Sequence, residues 1–235
     1  MKEKKISEGK TKKIFSTTKE EQLILYFKDD YVLKSGKKLA ITNKGKSNGL
    51  VSAYLLNYLK SYNVATHFID QVSEREILVA KLDMLPLEVL VRNFAAGILA
   101  ERYKVKEGTE LECPIIEYYL KHEENEDSMI NEDHLISFGH ASSDEIKEIH
   151  RLSSKINAIL RDFFRRRNYH LIDFRIEYGR QNDRIVLGDE ISMDTFRLWD
   201  LTTDTYLDLE RFKRNREKMA EIIDDIKSRL LMESS

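Results

Sequence analysis

Charged and apolar side chains alternate in the segment 171-LIDFRIEYG-179. Because successive side chains of a β-strand point to opposite faces, Asp173, Arg175 and Glu177 would share one face of such a strand. Residues 172, 174, 176 and 178 form an apolar opposite face that can pack into a core. The charged face must therefore contact water, a neighbouring strand or a ligand.

A second acidic segment follows at 186-VLGDEISMDTFRLWD-200. If residues 171–178 and 184–191 pair as an antiparallel hairpin around a turn near Asp183, Glu177 lies opposite Asp189. Directly opposed carboxylates repel each other, so the pair would need a cation. Mg²⁺ typically binds one or two carboxylates together with phosphate oxygens and water, so the two acids are candidate metal ligands. A register shifted by one residue would instead leave both acids in solvent.

Basic residues supply candidate contacts to phosphate. The motif 8-EGKTK-12 places Lys10 and Lys12 after a glycine, where backbone N–H and ammonium groups can meet a phosphate. A lysine-rich, exposed strand end is the alternative. Arg92 in 86-PLEVLVRNFAAG-97 and Arg197 in FRLWD can each form paired hydrogen bonds with a carboxylate or phosphate, or can simply pair with a surface acid.

The apolar pattern of the first half predicts strands and one helix. Residues 10–33 favour a hairpin or meander, and strands are predicted at 66–83 and 87–94, separated by 84-MLP-86. The spacing over 48–62 predicts a helix with Asn48 as its N-cap.

The second half predicts helices around the 171–191 hairpin. Residues 142–168 have helical spacing, and Ser142 with Glu145 forms a capping-box pattern. Residues 208–231 predict an amphipathic C-terminal helix. Strands followed by helices around a hairpin indicate an α+β fold with two lobes. We place the boundary near 83–87, with a cleft there.

Composition limits the class of protein. The 235 residues include 39 Lys+Arg and 41 Asp+Glu, a net charge of −2 that gives no reason to expect nucleic acid or an anionic membrane as partner. Cys113 is the single cysteine, so no internal disulfide forms. The six histidines show no metal-ligand spacing. Without a signal-like start or a membrane-length apolar run, the expected location is cytoplasmic.

The ordered motifs resemble one enzyme family. EGKTK, the 29-DD-30 pair, KGKSN, TH at 66–67, PLEVLVRNFAAG, LIDFRIEYG and GDEISMDTFRLWD are similar in order and spacing to phosphoribosylaminoimidazole-succinocarboxamide synthases (SAICAR synthetases) from about residue 6 to residue 213. The resemblance implies a two-lobed α+β fold related to ATP-grasp enzymes and kinases, with antiparallel sheets and flanking helices. The lobes would be residues 1–84 and 85–235, with the active site between them.

The resemblance also implies an activity. Family members use ATP and Mg²⁺ to join the amine of aspartate to the carboxylate of carboxyaminoimidazole ribonucleotide, through an acyl phosphate. This chain would then be an ADP-forming carboxylate–amine ligase of purine synthesis. Its partners would be small-molecule substrates, and a homo-oligomer is compatible with the resemblance.

Roles for individual residues follow from the same resemblance. Lys10 and Lys12 would contact ATP phosphates, Met84 would lie on the adenine-binding linker, and Lys121 would lie close to the nucleotide. Glu177 and Asp189 would hold Mg²⁺ with the nucleotide. The expected substrate contacts are Arg92, Asp173, Asp194 and Arg197, and the residues expected to take part in catalysis are Arg92, Lys121, Asp173, Arg175 and Arg197.

The chain departs from the family pattern mainly on the substrate side. Ser35 stands where an acid or amide is usual, Ile98 replaces a serine, Arg175 a lysine, Ser128 a proline and Lys213 an arginine. A lost hydrogen-bonding group leaves a substrate atom unpaired, at a cost of about 1–3 kcal/mol.

Three explanations of these departures stay open. The chain could keep the family reaction despite drift. It could be a ligase that uses a different carboxylate or amine. It could also be a kinase-like phosphotransferase or a nucleotide-binding protein without turnover, because a fold does not fix a function.

Overall fold

The computed structural model describes residues 2–33, 35–121 and 128–232. These residues form two large antiparallel sheets, a two-stranded ribbon and five α-helices. The prediction of an α+β fold with antiparallel sheets is confirmed. No helix in the described ranges is long and apolar enough to cross a membrane.

The first sheet is built from the N-terminal part of the chain. It has five strands in the order β1-β2-β3-β7-β6. Their bounds are β1 Lys2–Glu8, β2 Lys12–Thr17, β3 Gln22–Phe27, β6 Phe68–Ser73 and β7 Glu76–Ala80. The ribbon pairs β4 (Asp30–Val32) with β5 (Lys38–Ala40). The predicted meander over 10–33 thus forms as β2 and β3, and the chain bends before β4.

The second sheet carries most of the predicted site residues. Its order is β10-β9-β8-β11-β13-β14, with β12 paired to β11. The strands are β8 Asp83–Phe94, β9 Glu110–Leu120, β10 Ser128–Ile130, β11 Tyr169–Gln181, β12 Arg184–Gly188, β13 Phe196–Asp200 and β14 Thr205–Leu207. Because β11 pairs with β8, β12 and β13, side chains on one of its faces meet three neighbouring strands.

The helices pack on these sheets and on each other. They are α1 Lys44–Ser61, α2 Ile98–Tyr103, α3 Glu132–Ser137, α4 Ser143–Arg165 and α5 Arg216–Leu231, with a 3₁₀ turn at Leu209–Phe212. The predicted capping box at Ser142 and Glu145 forms at the start of α4. The C-terminal helix α5 packs against α1, and the largest buried cluster takes side chains from both sheets.

Several predicted boundaries are wrong: the helix predicted over 208–231 begins at Arg216, and the strand predicted over 66–83 is the hairpin of β6 and β7. Helix α1 begins at Lys44, so Asn48 is a buried residue inside the helix and Asn43 is the N-cap. Gly45 lies before the predicted helix but inside the observed one, and Gly45 and Gly49 let α1 approach the first sheet. A side chain at either would collide with the backbone oxygen of Phe27 or Glu74.

Another wrong boundary is at 84-MLP-86, which does not separate two strands but lies inside β8. Pro86 is tolerated there because the pairing of β8 with β11 shifts register between Glu177 and Gly179, and an irregular ladder can accommodate a residue without an N–H. The chain passes from one sheet to the other between Ala80 and Asp83. The division into lobes 1–84 and 85–235 therefore cuts a strand, and it stays a prediction.

Candidate active site

Charged side chains of alternating sign form a row across four strands of the second sheet. Asp173 on β11 is paired in register with Arg92 on β8 and with Arg197 on β13. Arg92 Nη1 lies 3.3 Å from Asp173 Oδ2, and Arg92 Nε donates to Glu117 Oε2 on β9 at 2.8 Å. Arg197 Nε donates to Asp173 Oδ1 at 2.7 Å, and its Nη2 donates to Oδ2. The structure thus brings together three residues predicted as substrate contacts.

This row is buried at one end and open at the other. Arg92 and Asp173 are 6% and 2% exposed, whereas the Arg197 side chain is 26% exposed. Burial would lower the pKa of Arg197, but the hydrogen bond and charge of Asp173 outweigh it and raise that pKa. Arg197 is therefore a permanently charged, preoriented group that a ligand can reach.

A second cluster of charges lies farther along β11. Lys121 Nζ donates to both carboxylate oxygens of Glu177 at 2.8 Å. Lys12 Nζ on β2 donates to both oxygens of Asp189 at 2.6 Å and to Glu190 Oε1 at 2.7 Å. Lys12, Lys121, Glu177 and Asp189, named in the sequence from separate motifs, are thus joined in one cluster.

The predicted hairpin register is wrong by one residue. Glu177 pairs with Gly188, and Asp189 is the first residue after β12. Asp189 adopts a left-handed conformation with φ 54°. The two acids are nevertheless close enough for their charges to interact. A shifted register was expected to leave both in solvent, but both side chains are largely buried.

The carboxylates outnumber the lysines in this cluster, and their pKa values reflect it. Burial, followed by the charge of Asp189, raises the pKa of Glu177 to about 7. Burial also raises the pKa of Glu190. Burial acts to raise the pKa of Asp189 as well, but the charge of Lys12 outweighs it and lowers that pKa. A site with excess buried negative charge favours an added cation.

Glu177 and Asp189 are the residues that could hold such a cation. No group of three or more His, Cys, Asp or Glu side chains arranged for a metal ion occurs within 2–33, 35–121 and 128–232. Two carboxylates suit a hard cation that takes its other ligands from phosphate and water, as Mg²⁺ does. The donor set therefore fits the expected metal.

His67 fixes the backbone next to this cluster. Burial lowers the pKa of His67 to about 4, so the ring is neutral at neutral pH. Its Nε2 lies 2.9 Å from the carbonyl oxygen of Asp189 and can donate to it, and its backbone N–H donates to Leu187 O. His67 therefore has a structural role beside the cluster.

Asp194 is held from α1 by two residues to which the sequence assigned no role in the site. Lys44, fully buried, donates to Asp194 Oδ2, and Asn48 Nδ2 donates to the same oxygen at 2.7 Å. Asp194 Oδ1 is buried and has no hydrogen-bond partner among the described residues. The KGKSN motif therefore orients a predicted substrate contact.

Other predicted site residues are more exposed. Lys10 lies in the β1–β2 turn. Met84 is 40% exposed and covers Gly179 and Gly188. Arg175 donates to Glu88 rather than joining the row at Asp173. Their assigned roles stay predictions. One of the six histidines, His122, lies outside the described residues.

Glu190 is the main site residue that sequence reasoning missed. It is 2% exposed, accepts from Lys12 at Oε1 and accepts from Ser192 Oγ at Oε2. The signal was available in 188-GDE-190, where a second acid directly follows the predicted metal ligand. In a strand over 184–191, Glu190 would point to the face opposite Asp189, away from the predicted site.

Comparison with known proteins gives a consistent result. A family model described as SAICAR synthetase matches residues 5–230. The phosphoribosylaminoimidazole-succinocarboxamide synthase of Clostridium novyi is 42% identical over 231 residues, which are 98% of this chain and 98% of that protein.

Solved structures agree with this result. The crystal structure of the phosphoribosylaminoimidazole-succinocarboxamide synthase from Ehrlichia chaffeensis superposes with a TM-score of 0.92 at 37% identity, covering 99% of this chain and 100% of that one. A type-2 SAICAR synthetase solved in complex with ADP gives a TM-score of 0.91 at 40% identity, covering 97% and 98%.

Proposed function

The chain belongs to the SAICAR synthetase family, and on that premise we propose how its residues perform an ATP-dependent ligation in purine synthesis. The reaction joins the carboxylate of carboxyaminoimidazole ribonucleotide to the amine of aspartate. One observation carries the assignment of residues to this reaction. A single strand, β11, presents Asp173 with its two arginines at one point and Glu177 in the lysine–carboxylate cluster four residues farther on.

The cluster around Glu177 is the proposed nucleotide end of the site. Lys12 and Lys121 are the cations available to neutralise phosphate oxygens of ATP, and Lys10 lies in the adjoining turn. Met84, beside Gly179 and Gly188, is the proposed contact for adenine. The ADP complex of a relative with 40% identity supports nucleotide binding.

Glu177 and Asp189 are the proposed Mg²⁺ ligands. When bound, Mg²⁺ neutralises charge on the phosphates and on the phosphoryl group being transferred. If Asp189 binds the metal, Glu190 still holds Lys12, because Lys12 donates to both acids. Glu190 is thus a positioning residue that keeps an ammonium group next to the transferred phosphate.

The row at Asp173 is the proposed ribonucleotide end. A carboxylate becomes a good acyl donor only when one of its oxygens can leave, and phosphorylation by ATP provides that leaving group. The amine of aspartate then attacks the acyl carbon, the C–N bond forms and phosphate leaves. This chain contributes mainly by orienting the reactants and neutralising charge, through Arg92, Arg197 and Lys121.

The reading as a ligase with another substrate is not favoured. The departures at Ile98, Arg175 and Lys213 leave the hydrogen-bonded row of Arg92, Asp173 and Arg197 intact. A kinase-like activity would require a single phosphoryl acceptor and no amine. A cytoplasmic location and a homo-oligomer remain part of the proposal.

ADP release in the presence of Mg-ATP, aspartate and carboxyaminoimidazole ribonucleotide tests the proposal, with each component omitted in turn. We expect release to require all three small molecules and the metal. Release with the ribonucleotide alone, at the full rate and with formation of a stable phosphorylated product, would indicate a phosphotransferase. No release from protein that binds Mg-ATP would indicate a different substrate.

A further inference from the structure

A polar cavity of about 500 Å³ opens beside Arg197. Its walls come from the start of α2, the segment before β9 and the segment after β14. The cavity lining includes Gly97, Glu101, Glu107, Arg197, Tyr206 and Arg211. Basic and acidic side chains both line the cavity, and Arg211 and Arg197 already form ion pairs with acids of the same chain.

One of these acids, Glu107, accepts hydrogen bonds from two groups that could also bind an external anion. Its Oε2 accepts from Arg211 Nη2 at 2.7 Å, and its Oε1 accepts from the backbone N–H of Gly97 at 3.3 Å. The Arg211 guanidinium is itself placed over the Tyr206 ring, 4.3 Å from its centroid.

Arg197 borders the same spot. Gly97 has a φ of 56°, and a methyl group on it would lie 3.4 Å from Arg197 Nη1. A glycine here keeps the space between the backbone N–H and Arg197 free. The pKa of Glu107 is lowered by its hydrogen bond from Arg211, with smaller contributions from the Gly97 N–H and the charge of Arg197.

We propose that the Glu107 carboxylate is a displaceable occupant of an anion subsite formed by Arg211, Arg197 and the Gly97 N–H, and that the phosphate of the ribonucleotide replaces it. The inference rests on the proposed function, because it takes the ligand to be a ribonucleotide with a phosphomonoester. Arg211 is then a phosphate ligand, and Glu107 determines specificity.

The chemistry of the two anions explains the exchange. A phosphomonoester carries up to two negative charges and three acceptor oxygens, whereas the carboxylate carries one charge and two oxygens. The Glu107 side chain is 40% exposed, so it can move into solvent when displaced. A ligand without a phosphate cannot compensate for separating Glu107 from Arg211, so the subsite selects ribonucleotides over ribonucleosides.

Glu101 provides a matched control. It lines the same cavity and is exposed, but its carboxylate forms no ion pair with any residue in the described part of the chain. Glu101→Gln and Glu107→Gln therefore remove the same charge from the same cavity. Only the second removes the competitor for Arg211.

The experiment is calorimetric titration of the full chain with ribose 5-phosphate, with ribose as the non-phosphorylated control. We expect Glu107→Gln to tighten ribose 5-phosphate by roughly two- to fivefold, the range that one exposed ion pair represents. Glu101→Gln should change the affinity by less than about twofold, because the Glu101 charge acts on the ligand only at a distance, where solvent and salt screen it. Arg211→Gln should weaken binding, and ribose should bind none of the proteins detectably.

If both glutamate variants bind ribose 5-phosphate more tightly by the same factor, the cause is the change in overall charge, and the proposed displacement of Glu107 is wrong. Unchanged or weaker binding by Glu107→Gln would overturn it as well. ADP release is measured in parallel on the same proteins. Tighter binding of ribose 5-phosphate without any ADP release would keep the subsite and reject the proposed function, whereas normal ADP release with no effect of Glu107→Gln would do the reverse.

Discussion

Lys12 and Asp189 form one ion pair, yet removing its two members separately should affect stability very differently. The cluster contains the carboxylates of Glu177, Asp189 and Glu190 and the ammonium groups of Lys12 and Lys121. Glu190 is 2% exposed at its side chain, and Lys12 is 15% exposed. Any change in this balance is therefore made in a poorly solvated site.

Lys12→Met removes the ammonium group that serves two of the three acids. Glu190, buried, and Asp189, partly buried, would then be adjacent acids without the partner that now lies 2.7 and 2.6 Å away. Breaking a buried pair in this way typically costs about 3–5 kcal/mol in the free energy of unfolding. Part of that cost will be avoided by protonation, because the pKa of Glu177 is already raised to about 7.

Asp189→Asn removes one negative charge and leaves two acids with two lysines. Asparagine tolerates the left-handed conformation at this position, where φ is 54°, so the backbone should not be strained. We expect a change of about 1 kcal/mol or less in the free energy of unfolding, of either sign. Mg-ATP turnover should nevertheless be lost, because a proposed metal ligand is gone.

Urea unfolding followed by circular dichroism, together with the ADP-release assay, measures both effects. The double variant should recover much of the stability that Lys12→Met loses, since removing Asp189 as well leaves fewer unpaired buried charges. The electrostatic reasoning fails if Lys12→Met and Asp189→Asn are equally stable. The metal assignment fails if Asp189→Asn keeps Mg²⁺-dependent turnover.

Two smaller perturbations test other parts of the structure. Glu145→Gln keeps an acceptor for the Ser142 cap but loses the ion pair with Arg180, so it should lower stability by under about 1 kcal/mol at neutral pH. The folded-state pKa of Glu145, about 2, lies below its ordinary value of 4.5. The wild-type protein should therefore be more stable than the variant above pH 4.5, and this difference should disappear as the pH falls through 2. Urea unfolding of both proteins across that range measures the difference, and a difference that does not change with pH would contradict the expectation. Ile98→Ser restores a hydroxyl beside Gly97, where the Ile98 side chain is 59% exposed. The KM for the ribonucleotide should fall several-fold with kcat unchanged, the effect of one added hydrogen bond of about 1 kcal/mol; an unchanged KM would place residue 98 outside the contact shell.

Periodic features of the fold were predictable from the sequence, and irregular ones were not. The helix at 142–168 was correctly predicted because apolar spacing and a capping box both indicate it. The start of α1 was misplaced because Gly45 is a poor helix former in isolation, so the segment before Asn48 did not favour a helix. Close packing of Gly45 on the first sheet decides its conformation, and the local sequence does not show that contact.

The same limit applies to the site. Motifs led to Lys12, Lys121, Glu177 and Asp189, and the structure joins them. Glu190 was missed because alternation assigns it to the face opposite Asp189, and that rule holds only inside a strand.

Asp189 shows why a wrong register still identified two carboxylates that lie near each other. Within a ladder, a shift of one residue moves a side chain to the other face, and Asp189 would then have pointed away from Glu177. The ladder, however, ends at Gly188, which pairs with Glu177. At Asp189 the chain takes a left-handed conformation, with its carbonyl held by His67 and its carboxylate by Lys12. A single non-extended residue thus restores the proximity that the shifted register would have removed. Its conformation depends on contacts from the first sheet and from His67, so it follows from tertiary structure and not from the strand pattern.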